Sequence, residues 1–383
     1  MSGSIIGSIC IKSLDELNEF SKHVEESLAT KSFFNVTNST IETLSLRNII
    51  KISLYTLFIL LAIIGNFLII LVICFNRFMR KSTNYFILNL AICDLAIVFS
   101  CMWVQMVQAF NKFWILGEFF CKFNSFLQMV SVIASVLTLA LISCDRYFGI
   151  AYPFKPKLTS KCTFLFIFLI WMISFLISMP SFIYRTYTER KWLDIVETQC
   201  NDLGWPVSVI VDDNGCVKQK TQPLKRIYFT IIILVLFFLP IFIMSITYSI
   251  LIYKLSKAEV LGERYSEEKR NFLIKRKKVI IMLIWILVIF FVCWSPLETM
   301  LLLMEYTHEF PAWWNDLEWI SYFLAYSNTV INPLIYAGLS ENYKIGLRQL
   351  RDKLFRKPMP QSNRRETLRP IISNVKSQVI NSI

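Results

Sequence analysis

The sequence predicts an all-α membrane protein: a seven-transmembrane helix bundle with a short amphipathic eighth helix. Three observations carry that expectation. Hydrophobic residues make up 55% of the 383 and mean hydropathy is +0.52, above the usual share in soluble domains. Seven apolar segments of spanning length can be marked off, near 49–74, 85–110, 121–144, 162–183, 227–255, 279–304 and 319–336. Isolated spans in lipid must satisfy their own backbone hydrogen bonds, so each is a helix. Third, the basic residues are unevenly placed: 26 of the 40 Lys and Arg lie in the loops after spans one, three and five and in the C-terminal tail. Those faces are cytoplasmic by the positive-inside rule, which accounts for the net charge of +13 without nucleic acid as a partner.

Residues 1–45 read as a flexible extracellular tail with a short amphipathic patch over 11–20 and glycosylation sequons at Asn35 and Asn38. The opening MSGSIIGSIC lacks a signal-peptide pattern, so the first span is expected to direct membrane insertion. The bundle is expected over 46–340. Its first span carries Gly65-Asn66, a buried amide that needs a partner on another helix. Its second carries Asp94, a carboxylate costing roughly 2.5–3.5 kcal/mol at mid-membrane on insertion scales, hence a functional group by default. Trp114 and the turn residue Gly117 lead into the third span, 121–144, in which no charge interrupts 123–144. At about 1.5 Å per residue this helix carries Cys121 at one membrane face and Asp145-Arg146-Tyr147 at the other. Its polar side chains, Asn124 to Thr138, require protein around them, so it is expected at the centre.

The fourth span holds Trp171 and is expected to stop at Pro180. A polar stretch from Tyr184 to Pro223 follows, too long for a mere connector. Pro240 and Tyr248 mark the fifth span, Cys293-Trp294-Ser295-Pro296 the sixth, and Asn328, Asn332-Pro333 and Tyr336 the seventh. Residues 341–355 alternate apolar and basic as a helix on a membrane surface would, and 356–383 reads as a disordered cytoplasmic tail. Of the ten cysteines, Cys74, Cys93, Cys101, Cys144, Cys162 and Cys293 read as packing residues of the spans. Cys10, Cys121, Cys200 and Cys216 lie on the oxidising side. No nucleophilic, metal-catalytic or phosphate-loop pattern appears, and His23 and His308 are far from any triad-like set, so no enzyme is expected.

Taken in order, these marks resemble the rhodopsin-like (class A) G-protein-coupled receptors, over roughly 46–354. The resemblance implies a multi-pass plasma-membrane receptor, N-terminus outside, acting on a heterotrimeric G protein, with arrestin, receptor kinases and membrane lipid as further partners. It implies no cofactor beyond an allosteric sodium ion held by Asp94, Ser135, Asn328 and Asn332. Asp145, Arg146, Tyr147, Tyr248, Pro296, Pro333 and Tyr336 are implied as the coupling switch, with Val136, Pro240 and Phe290 relaying the movement; Val136 replaces the commoner isoleucine. Cys121 is implied to pair with a loop cysteine, Cys200 by preference and Cys216 as its rival. Gln128 stands where amine receptors carry aspartate, and Tyr326 where opsins carry the retinal lysine, so neither ligand class fits. Gln128 is similar instead to neuropeptide Y, neuropeptide FF and orexin receptors, which implies a peptide ligand. Gln105, Gln108, Gln128, Trp294, Glu298, Leu301, Glu305 and Tyr322 are the expected ligand contacts, with Glu298, Glu305 or both offered to a basic group and Glu305 equally readable as a solvated helix-end carboxylate. A lipid or small-molecule receptor is the rival within the family, and a seven-span transporter or channel the rival outside it.

Overall fold

The computed structural model describes residues 14–28, 46–111, 113–151, 158–211, 217–261, 267–307, 310–311 and 313–355. Asn35, Asn38, Cys10, Cys216, His308 and the segment 356–383 lie outside them. A helix α1 (Leu14–Leu28) stands within the segment that the sequence marked as flexible. The bundle is built from α2 (Leu46–Phe75), α3 (Ser82–Phe110), α4 (Gly117–Ala151), α5 (Ser160–Tyr184), α6 (223–261), α7 (Glu267–Tyr306) and α8 (Trp314–Leu339), with α9 (Glu341–Phe355) after it. Among the described residues six helices, α2 to α7, are long and apolar enough to cross a membrane. The seventh, α8, is diluted by Asn328, Asn332 and Pro333, yet it packs against α7, α2 and α3 and buries Ser321, Ser327, Asn328, Thr329 and Asn332. Its polarity is turned inward.

The centre is held by α3 and α4. Their apolar cores are 72% and 61% buried, against 22% for α5 and α6, whose Phe164, Leu165, Phe168, Leu176, Phe242 and Ile243 face outward, as side chains that meet acyl tails do. Two polar joints fix the order. Asn66 Nδ2 donates to Thr329 O at 2.9 Å and joins α2 to α8. Asn89 accepts from Trp171 Nε1 at 2.9 Å and donates to Thr138 Oγ1 at 2.9 Å, which ties α3, α5 and α4 at one point. Beside Asn66, a Cβ on Gly65 would lie 2.7 Å from Pro333, so only glycine lets α2 approach α8 this closely.

Pro180 does not end the fourth span. It lies inside α5, which continues to Tyr184; proline removes a single N–H, and the helix carries on past it. Tyr228 Oη donates to Ile177 O at 2.6 Å and ties α6 to this end of α5. Turns of π-helix interrupt α3 at Val98–Met102 and α6 at Ile232–Phe238. The cysteine reading also needs correction: Cys93, Cys101 and Cys293 are buried, but Cys74, Cys144 and Cys162 are exposed on outward faces. The outer stretch after α5 forms two antiparallel hairpins, β1 (Thr186–Lys191) with β2 (Val196–Asn201) and β3 (Ser208–Val211) with β4 (Val217–Thr221). The second was not expected from the sequence. Trp205, 2% exposed, stacks 4.5 Å from Tyr184 and 5.1 Å from Tyr228 and seats this loop on α5 and α6. At the far end α9 buries Tyr343 and Leu350 and is linked to α2 through Asn76, just past its end, whose Nδ2 donates to Val72 O at 2.7 Å and to Gly346 O at 3.2 Å.

Candidate ligand cavity and cytoplasmic switch

A cavity of ≈ 130 Å³ opens toward the outer loop, walled by α4, α6, α7 and α8. Four of the eight expected ligand contacts line it: Gln128, Glu298, Leu301 and Tyr322. Its deeper wall, which sequence reasoning missed, is apolar and runs along α4 and α6 through Met129, Val132, Ile133, Phe229, Ile233 and Phe237 down to Val136. Glu298 has no hydrogen bond or ion pair among the described residues, whereas the other two charged groups of the wall, Arg185 and Asp202, pair at 2.7 Å.

The remaining four expected contacts do not line the cavity. Trp294 is only 1% exposed and lies beneath, with ring centroids 6.1 Å from Phe290 and 6.4 Å from Tyr326. It is reached indirectly, because Tyr326 Oη donates to Gln128 Oε1 at 3.1 Å and Phe237 of the cavity wall lies 5.9 Å from Phe290. Glu305 is engaged by Lys225 Nζ at 2.9 Å. Gln105 is half-buried on α3, and Gln108 is exposed on the same helix. Above the cavity Cys121 and Cys200 form a disulfide, Cα atoms 5.6 Å apart, and Trp114 exchanges hydrogen bonds with Thr198, the backbone one at 2.9 Å. The first hairpin is thus held against the outer end of α4.

Midway down, Asp94 is buried and accepts from Asn332 Nδ2 at 3.0 Å. Ser135 stands beside Cys93, the chain neighbour of Asp94. The amide oxygens of Asn328 and Asn332 are buried without a partner among the described residues. Those residues include no group of three or more His, Cys, Asp or Glu arranged for a metal ion.

At the end of the bundle opposite the cavity Arg146 is ion-paired with its neighbour Asp145, its Nε donating to Oδ2 at 3.1 Å. Thr83 of α3 completes the set: its hydroxyl accepts from Arg146 Nη2 and donates to Asp145 Oδ2 at 3.2 Å. Sequence reasoning missed Thr83, a hydroxyl two residues before the second span as marked from the sequence. Tyr147 lies under Lys254 of α6, with Nζ 5.6 Å from the ring centroid. Tyr248 and Tyr336 are buried nearby, and the Tyr336 hydroxyl has no partner among the described residues. Pro296 and Pro333 lie inside α7 and α8.

The family model for the 7 transmembrane receptor (rhodopsin family) matches residues 65–336, which span both the cavity and the switch. The chain belongs to the rhodopsin family of seven-transmembrane receptors. The receptor is 31% identical to neuropeptide FF receptor 2 of Rattus norvegicus over 328 residues, 81% of this chain and 74% of that one. It is 29% identical to the pyroglutamylated RF-amide peptide receptor of the same organism over 299 residues, 74% of this chain and 65% of that one. To the tachykinin-like peptides receptor 99D of Drosophila melanogaster it is 32% identical over 292 residues, 75% of this chain and 54% of that one. These place it in the neuropeptide-receptor branch of class A, multi-pass in the membrane and without enzymatic chemistry.

Proposed function

We propose that an extracellular neuropeptide with a basic side chain activates this receptor and that it passes the signal to a heterotrimeric G protein. The observation that carries the ligand's charge is Glu298, a carboxylate in the cavity wall with no cation of its own; a span holds such a group at a cost that a ligand cation offsets. Three relatives named as peptide receptors support the peptide. A ligand guanidinium engages Glu298, bidentate pairing being arginine's preference, while Gln128 and Tyr322 meet its polar backbone. Pressure on the Gln128–Tyr326 contact and on the apolar wall reaches Trp294 and Phe290, and α7 swings about Pro296. That movement frees Arg146 from Asp145 and Thr83 and opens a groove for a G-protein helix beside Tyr248 and Tyr336.

Asp94, Ser135, Asn328 and Asn332 would hold a sodium ion in the resting state. Carboxylate, hydroxyl and amide oxygens suit a hard cation, and the two unpartnered amide oxygens leave acceptor capacity for one. The orientation in this reading is N-terminus outside at the plasma membrane. Arrestin and receptor kinases act on the tail after α9, and lipid headgroups meet the basic residues of α9 itself.

The test is a panel of amidated basic peptides applied to cells reporting several G proteins, followed by Glu298→Gln and Gln128→Ala receptors with surface expression matched. Loss of a charge-assisted hydrogen bond, about 1.5–3 kcal/mol, corresponds to a potency loss of roughly ten- to a hundredfold in Glu298→Gln. Unchanged potency in both variants contradicts the site.

A further inference from the structure

The outer ends of α5, α6 and α7 and the loop between the hairpins are joined by a row of alternating charges. Arg185 at the end of α5 donates to Asp202 Oδ1 at 2.7 Å; Lys225, in the first turn of α6, lies 3.9 Å from Asp202 Oδ2 and 2.9 Å from Glu305 Oε1, in the last turn of α7. The four side chains are between 13% and 24% exposed, so water and salt screen them less than a pair on an open surface. The row is anchored, since Asp202 follows Cys200 by two residues and Cys200 is bonded to Cys121 of α4. The Lys225 ammonium also lies 6.0 Å from the Phe229 ring centroid, a cavity-wall residue one turn further on.

Glu305 therefore already has a cation, supplied by the receptor. An internal partner competes at an effective concentration of millimolar order, far above that of a hormone-like ligand. Removing it would leave Glu305 uncompensated in a half-buried site, whereas Asp202 keeps Arg185. We propose that Lys225 is a specificity-determining residue: it occupies Glu305 and withholds that carboxylate from the ligand, so the cavity recognises one cationic group, at Glu298, rather than two. The consequence for the ligand rests on the neuropeptide reading above; the withholding itself does not.

The experiment uses the full-length receptor in lipid nanodiscs, a brief pulse of an amine-acetylating reagent, and mass spectrometry of each lysine. Lys225 is expected to react about fivefold more slowly than the exposed Lys220, the upper end for a partly exposed pair, and to approach Lys220 in Glu305→Gln. Adding N-acetylarginine amide at about 0.1 mM, well below the millimolar effective concentration of the internal lysine, leaves the Lys225 rate unchanged. An equally slow Lys225 in Glu305→Gln overturns the proposal. So does acceleration by N-acetylarginine amide that the neutral N-acetylcitrulline amide does not reproduce. In the signalling arm, Lys225→Met vacates Glu305 and is expected to raise the potency of peptide amides with two arginines about tenfold over matched peptides with one, the worth of a charge-assisted contact, while Lys225→Arg behaves as the parent. Equal shifts for both peptide sets overturn it. Should no peptide amide activate any of these receptors, the neuropeptide reading falls while the acetylation rates still decide the Lys225–Glu305 pair.

Discussion

A methyl group added at Gly65 tests the packing that brings the outer cavity and the inner switch into one bundle. The new Cβ would lie 2.7 Å from both Cβ and Cγ of Pro333, whereas carbon atoms in contact sit about 3.5–4.0 Å apart. The proline ring is locked into the backbone of α8 and cannot rotate away, so α2 and α8 must part by about 1 Å. The neighbouring Asn66 donates to Thr329 O at 2.9 Å, and that separation carries the contact past hydrogen-bonding range. Overpacking costs about 1–3 kcal/mol, and an interhelical hydrogen bond in a membrane protein averages about 0.6 kcal/mol. Alanine recovers roughly 0.5–1 kcal/mol of helix propensity. The balance is a loss of about 0.6–3 kcal/mol, up to several degrees in melting temperature for a domain of this size. Cys93, Cys101 and Cys293 are buried, so a thiol-reactive fluorophore reports unfolding of detergent-purified receptor. Gly338→Ala is the control, since nothing lies within 4 Å of a Cβ there, and it is expected to melt no lower than the parent. A Gly65→Ala receptor that melts at or above the parent would refute the reasoning.

Four further outcomes follow from the same geometry. Thr83→Val removes the hydroxyl that bridges Arg146 and Asp145; agonist-independent nucleotide exchange should rise about two- to fivefold, from the 0.5–1 kcal/mol worth of one such bond, and an unchanged basal rate counts against the bridge. Trp171→Phe keeps the ring but removes the donor to Asn89 and should cost about 1 kcal/mol, with Asn89→Ala costing more because it strands both Trp171 and Thr138; the order of the two melting temperatures is the check. Cys200→Ser opens a disulfide spanning 79 residues, about 4.5 kcal/mol in the chain-entropy account as an upper bound where helices already restrict the chain; surface delivery and melting temperature should both fall. Sodium chloride, compared with choline chloride, should raise the melting temperature of the parent and leave Asp94→Asn unmoved, and an equal rise in both removes Asp94 from the ion site.

The bundle was legible because lipid leaves a chain few options. Apolar length marks the spans, and a polar residue such as Asn66, Asn89 or Asp94 inside one of them announces a partner. Sequence depth, however, says how far along a helix a residue lies and not which way it points. Glu298 and Glu305 are seven residues apart on α7 and near one face, yet the cavity claims the first and Lys225 the second. Gln108 has a suitable depth and an exposed side chain. Thr83 and Lys225 were invisible for a related reason, since a hydroxyl or a lysine at a span end is ordinary composition until its partner is known. Pro180 misled because a proline near a helix end often stops it, whereas the loss of one N–H is tolerated here and α5 runs on to Tyr184. The second hairpin is short and weakly alternating, so its pairing left no clear mark in the sequence.

Peptide-evoked GDP release from purified heterotrimeric G protein, compared between the parent receptor and Arg146→Ala with binding of the same peptide verified for each, measures the coupling of outer cavity to inner face most directly. The parent should accelerate release when the peptide binds, and Arg146→Ala should bind the peptide without doing so. An Arg146→Ala receptor that releases nucleotide as fast as the parent would contradict the proposed transmission.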